Sequence, residues 1–178
     1  MQVVPSGPDL PRRPIHYGVL AALTAAQRRV VIVTPYFVPD DVTAGALRLA
    51  LARGCRVQLL LPERSNHRLA DWAGRAYLDE LLEMGCEVFL TPRMVHAKMM
   101  LVDEALAVVG SANMDGRSFL LNFEIDLFLY GPREVARARA YAERLLNTAA
   151  CLDPEAFRRR GAVRRFGEDV CRLFSPLL

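Results

Sequence analysis

Residues Met94–Asn113 read M-V-H-A-K-M-M-L-V-D, then E-A-L-A-V-V, then G-S-A-N. The apolar run after Lys98 suits a buried strand. Asp103 and Glu104 interrupt it and Ala105–Val109 opens a second apolar run, so the stretch predicts a tight hairpin. His96 and Lys98 are two residues apart, a spacing that puts both side chains on one face of a strand. Gly110, Ser111 and Asn113 fall where the second strand ends, as small polar groups on a loop.

These residue types in this order suit phosphoryl chemistry. A neutral imidazole can attack phosphorus or act as a base, and an imidazolium can protonate a leaving alkoxide. An ammonium two residues away can neutralise the non-bridging phosphate oxygens. Ser111, Asn113 and the backbone N–H groups freed by Gly110 can hold the same oxygens. No metal or other cofactor is needed if Lys98 and Asn113 carry the charge. A lone H-x-K pair is a weak signal, because a single strand histidine is usually a satisfied core or surface residue. The full string H-x-K-x4-D-x6-G-S-x-N fixes six residues at set spacing.

That string resembles the HKD motif of the phospholipase D superfamily. His96, Lys98 and Asp103 match its three named letters, and Gly110, Ser111 and Asn113 match its extension. The strings Pro35–Asp40 (P-Y-F-V-P-D), Ser118–Glu124 (S-F-L-L-N-F-E), the opening Q-V-V-P-S-G-P and the closing L-F-S-P-L-L are similar to the C-terminal lobe of bacterial cardiolipin synthases. The resemblance implies transfer of a phosphatidyl group between two molecules of phosphatidylglycerol, with release of glycerol. It also implies a second HKD lobe, because relatives of full length carry two motifs whose histidines face each other across one phosphate. H-x-K occurs once here. The missing lobe is either the N-terminal half of a longer chain or a homodimer mate. The resemblance leaves open whether His96 is nucleophile or general acid. It places Lys98, Ser111 and Asn113 on the substrate phosphate.

Other candidates carry two readings each. Asp103 belongs to the motif, yet its position past the strand core also suits pairing with a nearby base or capping the hairpin. Alternation in Phe123–Tyr130 puts Phe123, Ile125 and Leu127 on one side and Glu124 and Asp126 on the other, which makes Glu124 a surface acid. The resemblance instead has Glu124 accept the proton-bearing nitrogen of the catalytic histidine, fixing its tautomer. His67 lies in the polar loop Glu63–Arg68. It reads as a loop residue, and as a secondary substrate-binding candidate because the family's loop lies near the site.

The rest of the chain alternates strands and helices. Helices are expected from Pro14 to about Gln27, with Tyr17, Leu20, Ala21, Leu23 and Thr24 as the apolar side, and from Asp40 or Asp41 to about Arg53. Two more run from about Leu69 to Met84 and from Arg133 to about Asn147. Strands are expected at Gln2–Val4, Arg29–Val33, Cys55–Leu61 and Cys86–Leu90, and a loop at Thr34–Asp40. The order predicts an α/β fold, a mixed sheet flanked by helices on both faces. Residues 1–150 read as one domain with a single motif, and 151–178 as its basic C-terminal extension.

Composition sets the remaining bounds. With 178 residues, 52% of them apolar, the chain can bury one real core. A net charge of +3 lacks a nucleic-acid footprint, and aromatic and basic residues are not interleaved near the motif, so nucleic acid is not the expected partner. A small dimeric nuclease remains the main rival within the superfamily. Arg158, Arg159, Arg160, Arg164, Arg165 and Arg172 form a cluster that reads as a solvated helix face or a contact for anionic lipid. Four well-separated cysteines argue for a reducing compartment and against zinc. The opening is Pro- and Gly-rich rather than a leader peptide, and begins as if cut from a longer chain. The expected location is cytoplasmic or peripheral on the inner membrane. The apolar last residues suit docking on a partner or membrane, or fraying.

Overall fold

The computed structural model describes residues 1–10 and 12–175. In chain order the elements are β1 (Gln2–Ser6), α1 (Pro14–Ala25), β2 (Arg29–Val33), β3 (Phe37–Val38), α2 (Asp41–Ala52), β4 (Arg56–Pro62), α3 (Arg68–Glu83) and β5 (Glu87–Thr91). Then come β6 (Met99–Val102), β7 (Leu106–Gly110), β8 (Met114–Asp115), α4 (Gly116–Leu120), β9 (Glu124–Leu129), α5 (Pro132–Thr148), β10 (Ala150–Cys151), α6 (Pro154–Arg158) and α7 (Ala162–Leu173).

The eight-stranded sheet has the order β1-β9-β7-β6-β2-β4-β5-β10. Strands β2, β4 and β5 are parallel, because α2 and α3 return the chain between them. From the other side of β2 the sheet continues antiparallel through β6, β7, β9 and β1. Side chains of β2 alternate between two cores. Val30 and Ile32 pack with residues of α1, α2 and α3, among them Val19, Leu47 and Leu78. Val31 and Val33 pack with Val135, Ala138 and Ala142 of α5. This is the mixed sheet with helices on both faces that the residue pattern predicts.

Helix α1 turns a different face inward from the one its apolar residues suggest. Ile15, His16, Val19, Ala22 and Leu23 are buried, while Tyr17, Ala21 and Thr24 face solvent. The cause is His16. Its Nε2 lies 3.0 Å from Asp40 Oδ2 and 3.2 Å from Thr43 Oγ1, and its ring stacks on Phe119 at 4.9 Å. A hydrogen-bonded imidazole occupies the buried stripe. Asp40 is also the N-cap of α2, accepting from the Thr43 N–H at 2.8 Å. The Thr34–Asp40 segment holds strand β3, which pairs with β8 in a separate two-stranded ribbon.

The C-terminal arginines are not one solvated face. Arg160 is largely buried and binds Asp79 and Glu168, and Glu168 is fully buried between Arg160 and Arg164. Helix α7 lies along α3 with this charged face inward and leaves Val163, Phe166 and Leu173 exposed. The apolar tail from Pro176 to Leu178 lies outside the described residues. No described helix is long and apolar enough to cross a membrane.

Burial opposes the charge on Asp40, but the bonds from His16 and Thr43 outweigh it and hold the carboxyl down at about 2, below its ordinary 3.8. Stability from this group is present above about pH 4 and is lost as pH falls toward 2. With partial exposure it amounts to about 1–2 kcal/mol. Urea unfolding of Asp40→Asn is expected to show that deficit at pH 7 and to converge on wild type at pH 2. An equal deficit at both pH values would mean the cap bond alone matters.

Candidate active site

Strand β6 runs antiparallel to β2, pairing Met99 with Val33. The residues before β6 therefore sit beside the end of β2, where β4 and β5 also finish. His96 and Lys98 occupy this position. They lie in extended chain just ahead of the strand rather than within it, and the Lys98 carbonyl continues the ladder by accepting from the Gly110 N–H at 3.2 Å. His96 is exposed. The half-buried Lys98 bends back, and its Nζ donates to the His96 carbonyl at 3.2 Å.

Glu124 and Ser111 form the next layer. Ser111 Oγ donates to Glu124 Oε2, and Asn122 Nδ2 donates to Glu124 Oε1 at 3.1 Å. The Ser111 Oγ also accepts from the Ile125 N–H at 2.9 Å, while the Ser111 N–H donates to the Ile125 carbonyl at 3.1 Å. Burial pushes the Lys98 ammonium below its ordinary pKa, and the charges of Glu124 and Asp115 work against that shift.

Beneath lies Asn113. Its N–H donates to Ser118 Oγ at 3.1 Å and its Nδ2 to the same oxygen at 3.3 Å. Its Oδ1 is buried and finds no partner among the described residues. Asn113, Lys98, Thr34 and Asp126 line a cavity of about 20 Å³, enough for one water. An orphaned amide oxygen at such a cavity is a place for a water or a ligand hydroxyl.

Strand β9 reverses the expected pattern. Asp126 and Phe128 point inward, with Asp126 only 4% exposed, while Phe123 is 74% and Ile125 53% exposed. The packing of Gly110 explains the inversion. A Cβ there would collide with the Asp126 carboxylate and the Ile125 carbonyl, so the glycine of the motif is what lets β9 bring Asp126 in. Asp126 Oδ1 accepts from the Ala112 N–H at 3.2 Å. Burial, aided by the charge on Glu124, raises the Asp126 carboxyl to about 6 against the pull of backbone N–H bonds. Burial likewise raises Asp115, the N-cap of α4, which accepts from the Ser118 N–H at 2.7 Å.

The structure brings together Lys98, Ser111, Asn113 and Glu124, with His96 above them. It does not bring Glu124 to His96, since no hydrogen bond joins them among the described residues. The histidine-orienting role expected of Glu124 is therefore not made within this lobe. Asp103 is also elsewhere, at the far end of β6, roughly 17 Å along the strand from Lys98. It has φ +50, and its carboxylate accepts from the N–H groups of Gln27, Arg28 and Arg29 at 2.8–3.0 Å. Burial opposes its charge, but these bonds prevail and lower its pKa. Asp103 is a clamp between the hairpin turn and β2, which corrects its place among the catalytic candidates. His67 is exposed and meets Tyr36 edge-on at 5.6 Å, and Tyr36 meets His96 edge-on at 6.4 Å. Its hydroxyl donates to Asn66 Oδ1. Residue pattern gave no sign of Tyr36 as the ring between two imidazoles, nor of Asp126, whose place in the alternation suggested a surface acid.

Fold and site together define a phospholipase D-type lobe. The sequence profile described as cardiolipin synthase, PLD-like domain, matches residues 19–146, and the chain belongs to that family. It is 40% identical to a cardiolipin synthase of Geobacillus sp. (strain WCH70), covering 100% of this chain and 36% of that one. It is 36% identical to one from Clostridium perfringens (strain SM101), over 99% of this chain and 37% of that one. The chain thus spans little more than a third of these relatives. Among solved structures, the phospholipase D family member Nuc from Salmonella typhimurium superposes with TM-score 0.72 at 21% identity, over 85% of this chain and 96% of that one. Phosphatidylserine synthase from Haemophilus influenzae gives 0.75 at 16%, over 99% and 48%. These two show the fold.

Substitutions at two positions test this layout. Because burial raises the Asp126 pKa, the cost of ionising it is absent below about pH 4 and grows as pH rises through about 6. Asp126→Asn should therefore unfold at higher urea than wild type at pH 7.5, by up to about 3 kcal/mol, and match it at pH 4. A variant less stable at pH 7.5 would contradict the burial assignment. Asp103→Ala should lose about 2–3 kcal/mol by orphaning three N–H groups, with Asp103→Asn losing less because its one amide oxygen can still accept from Arg28 and Arg29, giving up the Gln27 bond, and because asparagine tolerates positive φ.

Proposed function

We propose that this chain is the phosphate-handling lobe of a cardiolipin synthase-type phosphatidyltransferase. The carrying observation is the convergence of Lys98, Ser111, Asn113 and Glu124 below an exposed His96, in a chain whose whole length aligns with cardiolipin synthases. The substrate is phosphatidylglycerol, and the place of action is a membrane surface that the lobe approaches without a spanning helix of its own among those described.

The reaction needs two imidazoles. One attacks phosphorus, forming a P–N bond as the P–O bond to glycerol breaks, and the other gives its proton to the departing glycerol oxygen. The second imidazole then takes the proton of an incoming phosphatidylglycerol hydroxyl. That oxygen attacks phosphorus and the P–N bond breaks. Lys98 stabilises the negative oxygens of the five-coordinate phosphorus, the amide hydrogen of Asn113 that Ser118 does not take assists with a hydrogen bond, and Ser111 holds Glu124 in place.

His96 supplies one imidazole and a second lobe supplies the other. Leu121, Phe123 and Ile125 support that pairing, because this exposed apolar row flanks Glu124 at the rim of the site. A carboxylate with no bond to its own lobe's histidine is available to one from across the interface. Whether that lobe belongs to the same chain or to a second copy is read from the mass in solution.

The test uses phosphatidylglycerol vesicles and, separately, plasmid DNA. Cardiolipin formation is expected from wild type. It should fall about 10³-fold or more in His96→Ala and Lys98→Ala, while Asp103→Ala, assayed where it remains folded, keeps most of its turnover. DNA cleavage without lipid turnover would replace this reading with that of a dimeric phosphodiesterase. No turnover of either, from a chain that is monomeric in solution, would mean that the lobe is inactive by itself.

A further inference from the structure

The segment Pro35–Phe37 is a wall between two spaces. Tyr36 faces the imidazoles of His67 and His96. Pro35 and Phe37 line a different space, a cavity of about 310 Å³ between the ends of β4 and β5, helix α3 and the C-terminal segment carrying α6 and α7. The volume lies at the lower end of small-molecule pockets. Counting ~30 Å³ for each methylene-sized group, it holds roughly ten such groups.

The floor is apolar: Leu61, Leu78, Leu90, Leu152 and Phe157. Gly74 stands at its wall, where any Cβ would collide with the Phe37 carbonyl oxygen, so α3 is held close to β3. The arginines at the rim differ in what they already bind. Arg160 is fully committed, with Nε and both terminal nitrogens on Glu168 and Asp79 at 2.5–2.7 Å and its guanidinium over the Phe157 ring. Arg164 is half exposed and among the described residues reaches only Glu168, at 3.3 Å. Arg75 has no carboxylate within ion-pair distance among the described residues, and its one hydrogen bond goes to the Glu63 carbonyl at 3.4 Å. Burial and the neighbouring Arg164 push its pKa below the ordinary value. Of the two acids that also line the space, Asp71 already accepts from the Ser65 N–H at 3.0 Å, and Glu63 is exposed.

An apolar floor with an under-used guanidinium fork at the mouth is built for a molecule with one hydrocarbon chain and an anionic end. We infer that this cavity binds a single-chain anionic amphiphile, its chain against Phe37, Leu61, Leu78 and Phe157 and its head group on Arg75 and Arg164. The site is separate from the one that holds the reacting phosphate, and it does not depend on the proposed reaction. Its ligand touches Pro35 and Phe37, one on each side of Tyr36.

Isothermal titration of the whole chain tests this, with every amphiphile kept below its micellar concentration. Sodium dodecanoate and dodecanoyl lysophosphatidylglycerol are the two anionic probes, dodecyltrimethylammonium is the cation of the same chain length, and inorganic phosphate is the head group alone. Saturable one-to-one binding of an anionic probe is expected, about tenfold or more tighter than the cation, with phosphate alone silent. Preference for dodecanoate identifies a free fatty acid as the ligand, and preference for the lysolipid identifies a phospholipid chain. Arg75→Gln and Ala156→Phe, which fills the mouth from α6, should each weaken binding about tenfold or more while leaving the thermal midpoint unchanged. Ala70→Leu fills the same space from α3 if the α6 variant fails to fold. Equal affinity for the ammonium probe, no saturable binding of either anion, or indifference to all three substitutions overturns the inference.

Discussion

The antiparallel entry of β6 beside β2 is the constraint on which the site depends. Parallel strands β2, β4 and β5 all end at one edge of the sheet, and an antiparallel neighbour must begin there. Residues just ahead of β6 are thereby delivered to the edge that receives the loops after β2 and β4. This is why His96 meets Tyr36 from the first loop, and why Tyr36 meets His67 from the second. The β3–β8 ribbon fastens the arrangement. Thr34 Oγ1 donates to the Tyr36 carbonyl at 2.7 Å and accepts from the Met114 N–H at 3.3 Å, tying the loop after β2 to the residue beside Asn113. The clamp at the other end of the hairpin, Asp103, fixes the pitch of β6 from a distance.

The sheet also shows how a motif read as chemistry can be partly mechanics. Gly110 admits Asp126, Ser111 exchanges hydrogen bonds with Ile125, and Ser118 receives both donors of Asn113. These contacts lock β7, β9 and α4 around one point. Among the described residues of the site, His96, Lys98, the Asn113 amide and the Glu124 carboxylate keep capacity for anything beyond the lobe. The polar groups are held before substrate arrives, so little reorganisation is left for the reacting state.

Much of this was legible in the residues. The β-branched run Arg29–Val33 and the stop signals Gly54 and Gly85 gave the sheet and the helix ends, and the H-x-K string marked the residues that enter β6. The failures share one physical cause. Periodicity assumes that apolar residues point inward, and at α1, β9 and α7 polar groups were buried in pairs instead: His16 with Asp40, Asp126 with backbone N–H groups, Glu168 with Arg160. His16 meets Asp40 and Arg160 meets Asp79 across long stretches of sequence, Asp126 is met by backbone, and Glu168 meets Arg160 only through the turn between α6 and α7, so local pattern cannot announce them. The same holds for Asp103, whose partners at Gln27–Arg29 are brought near only by the pairing of β2 with β6.

Electrostatics supports the proposal that a second lobe completes the site. One ammonium, Lys98, feels the charges of Glu124 and Asp115, with Asp126 below. No arginine or lysine forms an ion pair with any of these three acids among the described residues. A phosphodiester entering this lobe alone would face acids that outnumber the one cation placed to receive it, and its own charge would be poorly met. Raising Asp115 and Asp126 by burial eases the imbalance only as pH falls. In the proposed reaction the remaining charge would be met by cationic groups of a second lobe, docked on the apolar row of Leu121, Phe123 and Ile125 that borders the same edge. Exposed apolar surface and unmatched negative charge lie side by side along this edge, the two features that the proposed second lobe would cover.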